Sequence, residues 1–148
     1  MTLAVKQYAA FAEARWKGLC PDLSAVGTHL YVCITTDEHS PDQDGDVSYA
    51  DIKDYEITGT GYTAGGVEVT SKTVTRSGLD ITLDCTDATW NAATFAGRWG
   101  HLYYHNPAAD ADKLLLAFFD FETNLTVTNG VFSLQVDADG LLVESVTP

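Results

Sequence analysis

The sequence predicts a mainly β domain, an antiparallel β-sandwich or barrel-like fold with one N-terminal α-helix. Three observations predict it. Apolar residues sit at spacings of three and four near the start of the chain and at a spacing of two from His29 onward. Short segments rich in Val, Ile, Thr and aromatic residues recur through the remainder. Turn-forming pairs separate these segments: Ser77-Gly78, Asn106-Pro107, Asn129-Gly130 and Asp139-Gly140. With 148 residues the chain reads as a single domain, 1–148, comprising a helix over 3–17 and a sandwich over 29–146. That length buries a sizeable core without disulfide or metal staples.

The helix rests on Val5, Tyr8, Ala12 and Trp16, with Phe11 beside them, and on Gly18 and Pro21 as stops. This amphipathic segment either covers one end of the sandwich or docks on a neighbouring subunit, which makes Val5, Tyr8, Phe11 and Trp16 candidate interface residues. HLYVCITT (His29 to Thr36) places Leu30, Val32 and Ile34 on one face of a first strand. VEVTSKTVT (Val67 to Thr75) and LDITLDC (Leu79 to Cys85) alternate likewise and are joined at Ser77-Gly78, a predicted hairpin with Leu79, Ile81, Leu83 and Cys85 inward. RWGHLYYH (Arg98 to His105), LLLAFFDFE (Leu114 to Glu122), LTVT (Leu125 to Thr128), VFSLQV (Val131 to Val136) and LLVESV (Leu141 to Val146) complete the set. Asn129-Gly130 and Asp139-Gly140 are read as hairpin turns.

Charge limits the partners. Twenty-one acids against eight Lys and Arg give a formal net charge of −13, which repels nucleic-acid phosphates and anionic bilayers and keeps free subunits apart. Eight of the acids fall between Asp37 and Glu56 with one lysine, the pattern of a solvated loop and the strand that follows it. No apolar run reaches the roughly 18 residues of a membrane span, and Lys6, Glu13, Arg15 and Lys17 interrupt any secretion signal, so a soluble protein is expected. Cys20, Cys33 and Cys85 are an odd set without a C-x-x-C pair, which suggests a reducing compartment.

The chemical motifs weaken on inspection. ITGTGYTAGG (Ile57 to Gly66) contains Gly59, Gly61 and Ala64 in the dinucleotide spacing G-x-G-x-x-G/A. A phosphate cradle needs a helix immediately afterwards, yet Val67 to Thr75 alternates as a strand. Gly59, Gly61, Gly65 and Gly66 are therefore read as a structural turn, the last two at positive φ, with Tyr62 packed over bare backbone. GVEVTSKT (Gly66 to Thr73) ends like a phosphate loop but has Ser71 where its second glycine belongs. His101 and His105 on a strand stand about 13 Å apart, too far for one zinc, and read as surface or sheet-end residues. Asp42, Asp44 and Asp46 start like a calcium loop, but an EF-hand would close on a glutamate where Lys53 stands; a looser calcium site stays open. Asp120 and Glu122 have the separation of a paired-carboxylate glycosidase, and equally that of alternate exposed strand positions. Trp90, Trp99, Tyr103 and Tyr104 either line a sugar platform or fill the core. No catalytic residue, cofactor or metal is assigned.

Three stretches, EITGTGYTAGG…KTVTR, DCTDATW…ATFAGRWGHLYY and LLLAFFDFE…LTVTNGVFSLQVDADGLL, resemble a family of small β-rich virion structural proteins of tailed bacteriophages. The likeness runs from about Leu23 to Leu142, and Gly59 to Gly66 carries its most distinctive part, joined by Asp87, Trp90 and the run Thr128, Asn129, Gly130. The acidic loop Glu38 to Asp46 departs from the family pattern. The resemblance implies a non-enzymatic capsid cement or decoration subunit, with the major capsid protein and copies of itself as partners. It also implies residence in a virion assembled in the host cytoplasm. A tail or head-tail connector component and a carbohydrate-binding module are the alternative readings.

Overall fold

The computed structural model describes residues 4–147. Strands take 47% of the chain and helices 12%, and two antiparallel sheets pack as a sandwich with an N-terminal helix. The elements run β1 (Ala4–Gln7), α1 (Ala9–Trp16), β2 (Leu30–Thr35), α2 (Tyr49–Ile52), β3 (Val67–Val69), β4 (Thr73–Ser77), β5 (Asp80–Asp84), β6 (Ala88–Tyr104), β7 (Leu115–Leu134) and β8 (Leu142–Ser145). The larger sheet has the order β1-β7-β6-β2-β3 and the smaller β4-β5-β8.

The centre of the larger sheet is buried on both faces, which is why its strands read LYVCIT and LLAFF rather than as a clean alternation. One face holds Leu30, Val32, Ile34, Leu102, Ala117 and Phe119 against α1 and the smaller sheet, through Phe11, Leu83 and Leu142. The other holds Cys33, Tyr103, Leu115 and Phe118 against Tyr8 and the α2 residues Tyr49 and Ile52. Every buried side-chain polar atom among the described residues has a hydrogen-bond partner. No described helix is long and apolar enough to cross a membrane.

Several local expectations are corrected. The predicted helix over 3–17 is a strand in its first half: Ala4 to Gln7 pairs with Ala117 to Asp120 at the sheet edge, and the helix starts at Ala9. Val5 and Tyr8 suit either element, so pairing with β7 decides; Leu3 lies outside the described residues. The helix ends as its sequence implies. Gly18 has φ +69, its amide reaches the Arg15 carbonyl, and the Leu19 amide reaches that of Ala14, a Schellman closure.

VEVTSKTVT is two strands in different sheets, divided at Ser71, where φ is +51. Asn129-Gly130 makes no hairpin. It lies inside β7, where Asn129 (φ +47) and Ala92 of β6 (φ +47) each insert an extra residue and the register recovers between Trp90 and Phe95. Asp139-Gly140 turns the chain from the larger sheet to the smaller, since β8 pairs with β5 and not with β7. The Ser77-Gly78 hairpin forms, but Leu79 and Ile81 toward its tip are exposed; Leu83 reaches the core and Cys85 packs half-buried against it.

The acidic stretch Asp37 to Glu56 is not all loop. Ser48 and Asp51 form a capping box that starts α2, and a 3-10 turn Lys53–Tyr55 continues it. The S-x-x-D spacing was present in the sequence; a helix of one turn leaves too little periodicity to reveal itself.

Candidate functional site

The glycine stretch bridges α2 and β3. Thr63 to Gly66 forms a turn closed by the Gly66 amide on the Thr63 carbonyl at 2.9 Å, with φ +95 at Gly65 and +84 at Gly66. A strand, β3, leaves it rather than a helix. Gly61 has φ +78, while Gly59 and Gly61 lie hard against β6 where Thr60 bridges Thr94.

Glu56 organises what surrounds this turn. Its Oε1 accepts from the Tyr62 hydroxyl at 2.5 Å and the Gly65 amide at 2.7 Å, and its Oε2 accepts from the Tyr49 hydroxyl at 2.6 Å. Tyr62 in turn accepts from the Ile34 amide at 2.9 Å, and the Tyr103 hydroxyl donates to the Gly65 carbonyl at 2.7 Å. Burial, then neighbouring negative groups, push the Tyr62 and Tyr103 hydroxyls well above the usual phenol range, and burial with the Glu56 hydrogen bond does the same for Tyr49. The Gly65 amide is thus already committed to a carboxylate of the same chain, and the cluster locks the turn. Glu56→Gln removes the charge from three hydrogen bonds, so urea unfolding at neutral pH should show a loss of about 1–2 kcal/mol.

Other candidates are also absorbed into the structure. His101 is not a surface residue: it is fully buried, with Nδ1 2.8 Å from the Tyr8 hydroxyl and Nε2 2.9 Å from Thr35 Oγ1. His105 is half-buried, stacked on Tyr31 at 3.9 Å between ring centroids. Asp120 and Glu122 do not form a matched pair. Arg98 binds Asp120 at 2.5 Å, that hydrogen bond holds the carboxyl below its usual range, and Glu122 sits in a break in the ladder at φ +64. In the acidic loop Asp42 accepts the amides of Asp44 and Gly45, and Asp46 accepts the Asp42 amide and lies 2.9 Å from His39 Nε2. No group of three or more His, Cys, Asp or Glu among the described residues is placed to hold a metal ion. Burial raises the pKa of all three cysteines.

The four aromatics are scattered. Trp90 is core, edge-on to Phe95 and Phe132, and Tyr103 is buried against Tyr49. Arg98 lies 3.8 Å over the Trp99 ring, and Tyr104 is half-buried against the opposite core. Neither Trp90 nor Tyr103 offers a face to a sugar. Asp87 holds the Val136 amide at 2.8 Å.

The candidate interface residues divide in the same way. Tyr8 and Phe11 belong to the core of this chain, 0% and 4% exposed, and are closed to a partner; Val5 is half-buried at the sheet edge. Trp16 stands alone at 92% exposure, with Leu19 at 72% just beyond the helix. Two grooves flank α1. One, about 490 Å³, runs past Ala10, Ala14, Leu19, Val47 and Leu114. The other, about 390 Å³, is lined by Gln7, Tyr8, Ala9, Ala12, Gln43 and Asp44. A third cleft of about 300 Å³ separates α1 from the smaller sheet, floored by Phe11, Leu83 and Leu142 and bridged at its rim by the Arg15–Glu144 ion pair. The outward side of α1 is thus the candidate site. Ala9 carries no sequence signal, and although Ala12 stands in the helix pattern and Asp44 in the acidic run, nothing local shows that they meet in one groove.

No family model matches the chain, and neither a curated protein nor a solved structure is found to be similar to it.

Proposed function

We propose that the chain is a non-enzymatic structural subunit of a tailed-phage virion, a capsid cement or decoration protein that acts through contacts with the major capsid protein and with its own copies. The observation that carries this reading is the division of labour among side chains. The side chains of Glu56, Asp46, Asp120 and His101, with the tyrosines bonded to them, are spent on internal hydrogen bonds. Among the large apolar groups left outside, Trp16 and Leu19 on and beside α1 and Val74 and Ile81 on the smaller sheet are of the kind that subunit contacts bury. The resemblance around Gly59 to Gly66 supplies the virion context. Many identical copies on a symmetric shell make a modest contact sufficient, because multivalent attachment multiplies the hold.

Mass spectrometry of separated heads and tails is the test: the chain should be found with heads. Recovery with tails alone would favour the connector or tail alternative, and absence from both would end the virion reading.

A further inference from the structure

On α1, Ala9, Ala12 and Trp16 follow one another at spacings of three and four and so share one side of the helix, away from the buried Phe11 and Ala14. A knob and a hole therefore lie along one line. The knob is Trp16, 92% exposed. The hole is the open, shallow groove of about 390 Å³ beside the first turn, lined at its surface by Ala9, Ala12 and Asp44. Its far wall is held in place, since the Ala9 amide donates to the Gln43 carbonyl at 3.0 Å and Gln43 Nε2 to the Gln7 carbonyl at 2.6 Å. Trp16 is 92% exposed and so leaves the groove of its own chain unfilled. A second copy can fill it.

A two-fold axis crossing α1 between Ala12 and Glu13 reverses the helix and brings each Trp16 to the other copy's groove. The charges agree with that operation. Lys17 follows the C-terminal end of α1, and Asp44 lines the groove at its N-terminal end. Reversal sets Lys17 of one copy towards Asp44 of the other. Lys17 also pairs with Glu13 of its own chain at the exposed side of the helix, so across the axis it is shared between that carboxylate and Asp44. In a molecule of net charge −13, two copies repel unless their few cations meet acids, and this pairing meets that condition at both ends of the contact. Antiparallel helix dipoles add in the same sense.

We infer that the outward side of α1 is a two-fold self-association surface, in which Trp16 of each copy enters the Ala9–Ala12 groove of the other and Lys17 faces Asp44 across the axis. This deepens the subunit reading above, naming its self-contact, and it is tested without any virion, so either can fail alone.

Sedimentation velocity of the purified full chain over a range of concentrations should show a monomer of 16.0 kDa in equilibrium with a species of twice that mass. Trp16→Ala, which removes an exposed side chain and leaves the core intact, should keep the circular dichroism spectrum and weaken association roughly tenfold or more. Lys17→Glu should weaken it and Asp44→Lys in the same chain should restore it. A monomer at every concentration, undiminished association of Trp16→Ala, or failure of the charge exchange to rescue Lys17→Glu would each overturn the inference.

Discussion

Gly66→Ala is expected to prevent this chain from folding. A Cβ built on Gly66 lies 1.8 Å from the Val32 carbonyl oxygen and 2.7 Å from Cys33 Cα, both backbone atoms of the central strand β2. Neither can retreat, because β2 is paired with β6 on one side and β3 on the other. The positive φ of +84 adds about 1–2 kcal/mol for any L side chain, but that is the smaller part. Separating β2 from the turn also breaks the cluster of Tyr62, Glu56 and Gly65 that holds it. The sum exceeds the roughly 4–5 kcal/mol that marks exceptional substitutions and approaches the whole stability of a small domain. Gly78→Ala is the control. Its φ is +61, yet nothing lies within 4 Å of the added carbon, so backbone strain of about 1 kcal/mol is all it should lose. Soluble yield and urea unfolding of the two variants side by side measure the difference. If Gly66→Ala unfolded at the wild-type urea concentration, the contact with Val32 would not hold.

The same glycine shows what kind of information a sequence carries openly. Gly65-Gly66 before a β-branched run reads as a turn because positive φ is a local demand that glycine meets at least cost. The face formed by Leu30, Val32 and Ile34, and the reversal at Ser77-Gly78, are legible for the same reason: period and turn chemistry act within a few residues. What failed was set by partners far along the chain. Asn129-Gly130 has the chemistry of a hairpin turn, but β6 runs on past Trp90 with Phe132 opposite, and the ladder takes the αL residue as a bulge. Ala4 to Gln7 became a strand because β7 had a free edge to pair. Candidate chemistry was misread by the same mechanism. Tyr8 and His101 are 93 positions apart, and nothing local to either announces that they meet in the core.

That buried pair sets the pH response expected of the protein. Burial, with a small contribution from His39, lowers the His101 pKa from its ordinary value near 6.5 to about 3. In the folded chain the imidazole is neutral, packed with Cys33 and Phe118 and bonded to Tyr8 and Thr35. The unfolded chain takes up a proton as soon as pH falls through about 6.5. Its pKa is depressed in the fold, so the stability is fully present above the unfolded value and drains away below it, levelling only near pH 3 where the folded imidazole also charges. The linkage gives a loss of about 2 kcal/mol by pH 5 and about 3 kcal/mol by pH 4 from this residue. Partly exposed carboxylates such as Asp110 and Asp120, whose hydrogen bonds to Lys113 and Arg98 lower their pKa, fade in the same direction but at lower pH. His101→Gln keeps a hydrogen-bonding side chain without the titration, so subtracting its unfolding profile from that of the wild type isolates the histidine. The wild type should lose stability faster than the variant between pH 7 and pH 4. NMR of the folded wild type supplies an independent reading, since the imidazole C–H shifts of His101 should stay flat over that interval. A His101 that titrated near 6.5 in the folded chain would mean that water reaches the Tyr8–His101–Thr35 chain, and the two-sided burial of the central sheet would have to be redrawn.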